Sequence, residues 1–248
     1  MASPPAALCL GKLGDNLSLS ARYSVADEDQ EESSAVQRAQ AREQTRQRLL
    51  EAALAILESG GEAALTTTAI TRRAGISQSG FYNYFADMED MLCHLIEDVE
   101  RQRRSAAASA RRAARPAGVN DAMRESFRET VTATAAHPNL FRLLLRSRLD
   151  PASRVGAEAR RQLATTHANF MRALAQGPVP VATEQDRRQA SLIADGLIAA
   201  RDAMLIGHLD GRYPDVEEIL DALMLFVLGV PSAARRHRPA LVSGRADA

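Results

Sequence analysis

Residues 68–85 read TAITRRAGISQSGFYNYF, and two short helices joined by a tight turn account for every position in the stretch. The first of the pair covers about 68–74 and stops at Gly75, which takes the left-handed conformation a sharp turn requires. Ser77 then serves as an N-cap, and the following helix carries Phe81 and Phe85 four residues apart, on one face. Ile70, Ala74, Ile76, Phe81 and Phe85 supply a buried side, whereas Gln78, Ser79 and Asn83 project elsewhere. A helix pair of this kind can set its second helix in the major groove of DNA, with the first bracing it. Gln and Asn amides pair bidentately with adenine edges, and Ser serves several bases. Thr66, Thr67, Ser77 and Tyr84 bear hydroxyls suited to phosphate oxygens, and the N-termini of both helices add backbone N–H groups.

Upstream, Leu49, Leu50, Ala53, Leu54 and Leu57 recur at helical spacing from a charge reversal at Arg38 until Gly60 and Gly61 end the run. Residues 1–37 hold two prolines, two glycines and an acidic-polar run with no sustained apolar period, and read as a disordered tail. Downstream, Asp87 is a second N-cap candidate with Glu89 and Asp90 in the first turn, opening a long helix through Met91, Leu92, Leu95, Ile96 and Val99. Residues 106–118, rich in Ala and Arg and broken at Pro116, are the end of that helix or a loop. Helical segments follow at about 120–136, 139–149, 154–175, 184–209 and 216–230, punctuated by Pro138, Pro151, Gly177 with Pro178, and Pro214. No run alternates as a strand does. The expectation is an all-α protein: a helix-turn-helix domain over 38–86, a helical effector-binding and dimerisation bundle over 87–231, and a flexible tail over 232–248.

The 248 residues balance 31 basic against 31 acidic side chains, so any nucleic-acid surface must be local. Arg38, Arg42, Arg46 and Arg48, with Arg72 and Arg73, form a local basic surface near the helix pair, of which Arg42 and Arg46 are read as phosphate contacts, although arginine is abundant throughout and these side chains equally suit solvated helix faces. Two cysteines, Cys9 and Cys93, make no disulfide framework, which fits a reducing cytoplasm. The longest apolar segment, around 220–230, falls short of the ~20 residues a membrane span requires, so no membrane partner is expected. His94, His137, His167, His208 and His237 include no pair at metal-ligand spacing, and the chain lacks a phosphate-cradling glycine loop, a Gly-x-Ser-x-Gly elbow and a close Cys–His set. Neither an enzyme nor a cofactor or metal protein is indicated. An enzyme without a recognisable catalytic motif and an all-helical adaptor are the competing classes, but an adaptor gives no reason for Gln78, Ser79 and Asn83 to face out of an aromatic-braced helix.

Over residues 42–96 the chain resembles the tetracycline-repressor (TetR) family. The resemblance is carried by the threonines at 66–68, Ile70, Ala74-Gly75-Ile76-Ser77, Phe81-Tyr82-Asn83-Tyr84-Phe85 and the acidic helix start at 87–92. It implies that Gln78, Ser79, Gly80, Tyr82 and Asn83 line the recognition surface and that Thr67, Tyr82 and Tyr84 lie near phosphates. Two positions depart from the family pattern: Thr71 replaces a small Ala, and Met88 replaces a Lys that often binds phosphate, which shifts that duty to Arg42, Arg46 or the helix dipole at Asp87. Further on, His137-Pro138-Asn139 and residues 140–146 look like the corresponding segment of the FabR-type repressors of fatty-acid synthesis, which points toward an acyl-type effector.

Leu192, Ile193, Leu197 and Ala200, with Ile219, Leu223, Met224, Phe226 and Val227, offer more apolar surface than one small bundle needs, and the resemblance places their two helices at a twofold interface. A homodimer would present two reading helices about one DNA turn (~34 Å) or a multiple apart to an approximately palindromic operator. Phe127, Val131, Phe141, Leu144, Leu145, Phe170 and Leu174 have the bulk to line an effector pocket, with His137, His167 and Arg201 as polar groups to orient a ligand. Phe141, Leu144 and Leu145 equally suit a plain bundle core, and His167 a core hydrogen bond. The resulting expectation is a ligand-responsive regulator, a repressor of double-stranded operator DNA, with the sign of the ligand's effect open.

Overall fold

A computed structural model describes residues 16–175 and 182–236, with side chains over 34–175 and 182–229. The parts of the expected tails at 1–15 and 237–248 lie outside the described residues. Two compact units are distinguished, Met1–Leu49 and Leu50–Ala248. Helix α1, Asn16–Gly60, supplies the described part of the first unit and opens the second. Residues 16–37, expected as disordered tail, are therefore helical. Between Asn16 and Ser59 the chain holds no Gly or Pro and is rich in Ala, Glu, Gln and Arg, so propensity alone favours a helix. Residues 34–44 of this helix are exposed throughout.

Within the second unit, α2 (Thr67–Ala74) and α3 (Gln78–Phe81) form the short pair, and α4 runs over Met88–Ala114. The alternatives for 106–118 resolve as helix up to Ala114, then a 3-10 turn at Arg115–Ala117 ending at Gly118. Alanines carry the helix, and Pro116 falls in the tighter turn, where a missing N–H costs little. Helices α5 (Val119–Ala135), α6 (Pro138–Ser147), α7 (Arg154–Ala175), α8 (Glu184–Leu209) and α9 (Val216–Arg236) follow. The expected breaks at Pro138, Pro151 and Pro214 all separate helices, and the one expected at Gly177 with Pro178 lies outside the described residues. Pro231 does not: α9 continues through it into Ala and Arg, past the tail boundary expected at 232. Every described regular element is helical.

The C-terminal core joins Phe127 and Val131 of α5, Phe141 of α6, Leu205 of α8 and Ile219, Leu220, Leu223 and Met224 of α9, with Leu145 and Phe170 packed against it. Several residues expected at a dimer interface are thus already used. Leu197, Ile219, Leu223 and Met224 are at most 8% exposed within the single chain. On α8 and α9 the large apolar side chains left outside, among the described residues, are Leu192, Leu225, Phe226 and Leu228, which are 47–72% exposed. Apolar periodicity marks a helix as amphipathic but does not say which of two partners it faces.

On the surface, α5 is tied to α9 by Arg124, which donates to Asp221 at 2.7 Å and Glu217 at 2.8 Å, and by Arg128, which grips the same Glu217. Hydrogen bonds from Arg128 and Arg124 hold the Glu217 carboxyl down at about 2 against an ordinary 4.5. A depressed acid stabilises the fold above its unfolded pKa, and the contribution disappears as pH falls through the folded value. The stability of Glu217→Gln is therefore expected to fall less steeply than wild type between pH 4.5 and 2, in urea unfolding across that range.

Candidate nucleic-acid interface and effector region

The reading pair is fixed by its caps and by its aromatic floor. Thr66 accepts the Ala69 N–H at 3.1 Å and starts α2 one residue earlier than expected. Gly75 sits at φ 69°, ψ 37°, and the Ile76 N–H returns to the Thr71 carbonyl at 3.0 Å, closing the helix as the chain turns. Thr71, the departure from the family pattern, is 3% exposed and back-bonds to the Thr67 carbonyl at 2.9 Å, so its added hydroxyl is satisfied. Ser77 caps α3 by accepting the Gly80 N–H at 3.2 Å and lies 3.2 Å from the Ser79 hydroxyl. A Cβ at Gly80 would meet Ile76 Cγ2 at 2.7 Å, which is why the close return of α3 onto the turn uses a glycine.

Helix α3 ends at Phe81, sooner than expected. A turn in which the Tyr84 and Phe85 N–H groups both reach the Phe81 carbonyl carries the chain on to Phe85. Phe81 and Phe85 are still the anchors, 0% and 1% exposed with ring centroids 5.5 Å apart, and Phe85 meets His94 of α4 in a tilted contact at 5.7 Å. Leu50, Ala53, Leu57, Ile70, Met91, Leu95 and Ile96 are likewise at most 1% exposed. Over this floor Gln78, Ser79, Tyr82 and Asn83 are exposed, Thr66 and Ser77 are exposed, and Thr67, Gly80 and Tyr84 are half-buried. Tyr82 makes an edge contact with Phe81 at 5.4 Å while 58% exposed. One short segment thus gathers nine of the eleven residues read as DNA contacts. The other two, Arg42 and Arg46, belong to the Met1–Leu49 unit, one turn apart on α1, and Arg46 pairs with Glu43 at 2.6 Å.

The dipole at Asp87, expected to share in phosphate binding, is already engaged. Asp87 accepts the Asp90 N–H and Asp90 accepts the Ala86 N–H, both at 2.9 Å. Arg154 at the start of α7 pairs with Asp87 and with Glu89, and its hydrogen bond is the chief cause holding the Asp87 carboxyl below its usual value. These carboxylates turn a possible anion site into a cation site. No local signal reveals this, because Arg154 lies 67 residues from Asp87.

A second joint links the end of α1 to α6. Glu58 accepts the N–H groups of Asn139 and Leu140 at 3.0 and 2.9 Å, while Asn139 Nδ2 donates to the carbonyls of Leu57 and Glu58 at 3.0 and 3.1 Å. Each helix caps the open end of the other. The His-Pro-Asn segment is therefore structural at Asn139. His137, read as a ligand group, is half-buried, and its Nδ1 is buried without a hydrogen-bond partner among the described residues.

Of the other effector residues, Phe127, Val131, Phe141, Leu145 and Phe170 come together in the C-terminal core, with the Phe127 and Phe170 rings 6.4 Å apart. Leu144 is buried and Leu174 half-buried, but neither belongs to that cluster. His167 instead faces α8, 3.0 Å from the Ser191 hydroxyl and 3.6 Å from Asp195. Arg201 is 5% exposed and bound to its neighbour Asp202 at 2.6 and 3.0 Å, within a polar cluster that sequence reading did not foresee. Among the described residues no group of three or more His, Cys, Asp or Glu side chains is arranged to hold a metal ion, and no helix is long and apolar enough to cross a membrane.

Comparison with known proteins meets this geometry at the same place. Residues 49–95 match the family model of bacterial regulatory proteins, tetR family. Among solved structures, the chain is similar to a TetR-like transcriptional regulator from Rhodococcus sp. RHA1, at 19% identity and a TM-score of 0.57, covering 76% of this chain and 96% of the other. It is similar to the fatty acid degradation regulator FadR from Bacillus halodurans, at 16% identity and a TM-score of 0.61, over 74% and 97% of the two chains. A TetR family transcription regulator from Marinobacter aquaeolei VT8 is 18% identical with a TM-score of 0.54, over 77% and 97%. At these identities the likeness shows the fold. Residues 49–95, which hold the helix-turn-helix pair, thus match the tetR-family model, and the chain has the all-α fold seen in TetR-type regulators.

Proposed function

We propose that the protein is a ligand-responsive transcriptional regulator, a repressor that binds a palindromic operator as a homodimer in the cytoplasm and does no enzymatic chemistry. The observation that carries this is the short reading element, which exposes Gln78, Ser79 and Asn83 above a floor of fully buried Phe81 and Phe85. Amides held on a rigid support suit base edges, whereas an adaptor surface has no need of such bracing. Thr66, Thr67, Tyr82 and Tyr84 contact the flanking phosphates, assisted by Arg42 and Arg46. In a selection from random duplexes the protein is expected to recover a two-half-site sequence. Asn83→Ala and Gln78→Ala should each lose about 1–3 kcal/mol on it and relax one base preference. Unchanged affinity and preference in both variants would remove these residues from the readout.

Dimerisation uses Leu192 of α8 and Leu225, Phe226 and Leu228 of α9, the apolar side chains left outside the core. Phe226→Arg is expected to shift the protein to monomer in sedimentation at micromolar concentration and to reduce operator affinity. A dimeric variant with wild-type affinity would place the interface elsewhere.

The effector is a small, largely apolar molecule held near Phe127, Phe141, Leu145 and Phe170. Its acyl character is suggested by the segment from His137 to Arg146 and by the likeness to a regulator described as one of fatty acid degradation. Ligand entry repositions α6 and α4, and the joints Glu58–Asn139 and Arg154–Asp87 pass the shift to the reading pair. Loss of DNA binding is the leading outcome, and linkage requires operator DNA to change ligand affinity by the same factor.

A further inference from the structure

Arg148, the residue that closes α6, reaches across to α8, where Nη1 donates to Asp202 Oδ2 at 2.8 Å. Asp202 Oδ1 is taken by Arg201. From α4, Arg103 pairs with Glu100, while Arg104 lies 3.8 Å from Glu100 and donates to Gln162 of α7 at 2.6 Å. Glu158 of α7 is buried beside Gln162 and pairs outward with the exposed Arg161. Four largely buried guanidiniums, Arg103, Arg104, Arg148 and Arg201, thus face three carboxylates, Glu100, Glu158 and Asp202, and one of those three is shared with a surface cation.

A buried lysine relieves such an excess by giving up its proton, but arginine stays charged inside proteins. Burial pushes both Arg201 and Arg104 down from their ordinary values, the mark of cations held in an unfavourable place. Arg148 Nε is buried with no hydrogen-bond partner among the described residues. The cluster therefore has surplus positive charge and an unused donor on one guanidinium edge, the side a carboxylate meets.

Its position gives the rest of the ligand. On α6, Phe141, Leu145 and Arg148 are spaced by four and three residues, and on α8 Arg201 and Leu205 by four, so each charge sits one turn along the same face from the apolar cluster. We propose that Arg148 and Arg201 anchor the carboxylate head of an apolar monocarboxylic acid, whose tail lies along Phe141, Leu145 and Leu205. Asp202 holds both arginines in place until the acid arrives, and the incoming carboxylate takes the Nε edge of Arg148. This rests on the effector reading above and names its chemical class.

The test measures binding of octanoate, dodecanoate and hexadecanoate, each against its own methyl ester, to the full chain by calorimetry, with operator affinity followed in parallel. At least one acid is expected to bind at least tenfold more tightly than its ester. Arg148→Gln is expected to erase that ratio, and Arg148→Lys, which keeps the charge but lacks the Nε edge, to lose most of it. Esters that bind as well as acids, or a ratio that survives Arg148→Gln, overturn the proposal while the apolar-effector reading stands. Absence of binding by every acid and ester overturns both, and the operator-binding reading stands in either case. The wild-type acid-to-ester ratio decides the matter even if a variant fails to fold.

Discussion

Phe81→Ala is expected to destabilise the protein by about 3–5 kcal/mol and to abolish specific duplex binding under conditions where the remaining bundle is still helical. Phe81 is fully buried, meets Phe85 and Tyr82, and ends the four-residue helix that presents Gln78 and Ser79. A helix this short has almost no stability of its own, since nucleation is its main cost. Its geometry is set by what lies beneath it. Removing the ring leaves a cavity under the proposed reading surface, so affinity and specificity should fall together, unlike Asn83→Ala, which should chiefly change preference. Urea unfolding and a duplex titration on the same sample check both halves. A Phe81→Ala protein with wild-type stability and operator affinity would mean that α3 is held by something other than its aromatic floor.

Asp202→Asn is expected to cost about 3–5 kcal/mol, because it removes the charge partner of Arg148 and Arg201 together and leaves buried cations uncompensated. The loss comes mainly from the stranded arginines and less from the lost pair. Combining Asp202→Asn with Arg201→Met should therefore recover part of the stability, as an apolar side chain of similar length needs no counter-charge. Urea midpoints of the single and double variants supply the cycle. If the double variant is less stable than Asp202→Asn alone, Arg201 is held by partners other than Asp202.

Local chemistry made the helix inventory readable from the sequence. Gly75, Ser77, Asp87 and the prolines between the C-terminal helices act within a few residues of themselves, and caps and turns depend only on such neighbours. The pattern of the proposed reading surface was legible for the same reason: alternation of anchored aromatics with exposed amides over eight residues needs no distant partner to interpret it. Where local propensity competed with a compositional impression of disorder, as over residues 16–37, the absence of Gly and Pro favoured helix.

Only the tertiary structure assigned faces and charges. Leu197, Ile219, Leu223 and Met224 look the same in sequence whether they meet their own chain or a second copy, and packing turned them inward. Arg154 at Asp87, Asn139 at Glu58 and Arg148 at Asp202 are pairings across tens of residues, created when helices cross. Arg201 was read as one of a few polar groups in an apolar pocket because the other charges of its cluster, Arg103, Glu100 and Arg148, lie on other helices. Periodicity reports that a side chain is buried, and the desolvation of a charge depends on which opposite charge is brought to it. That pairing is a property of the assembled bundle and is written in no single segment of the chain.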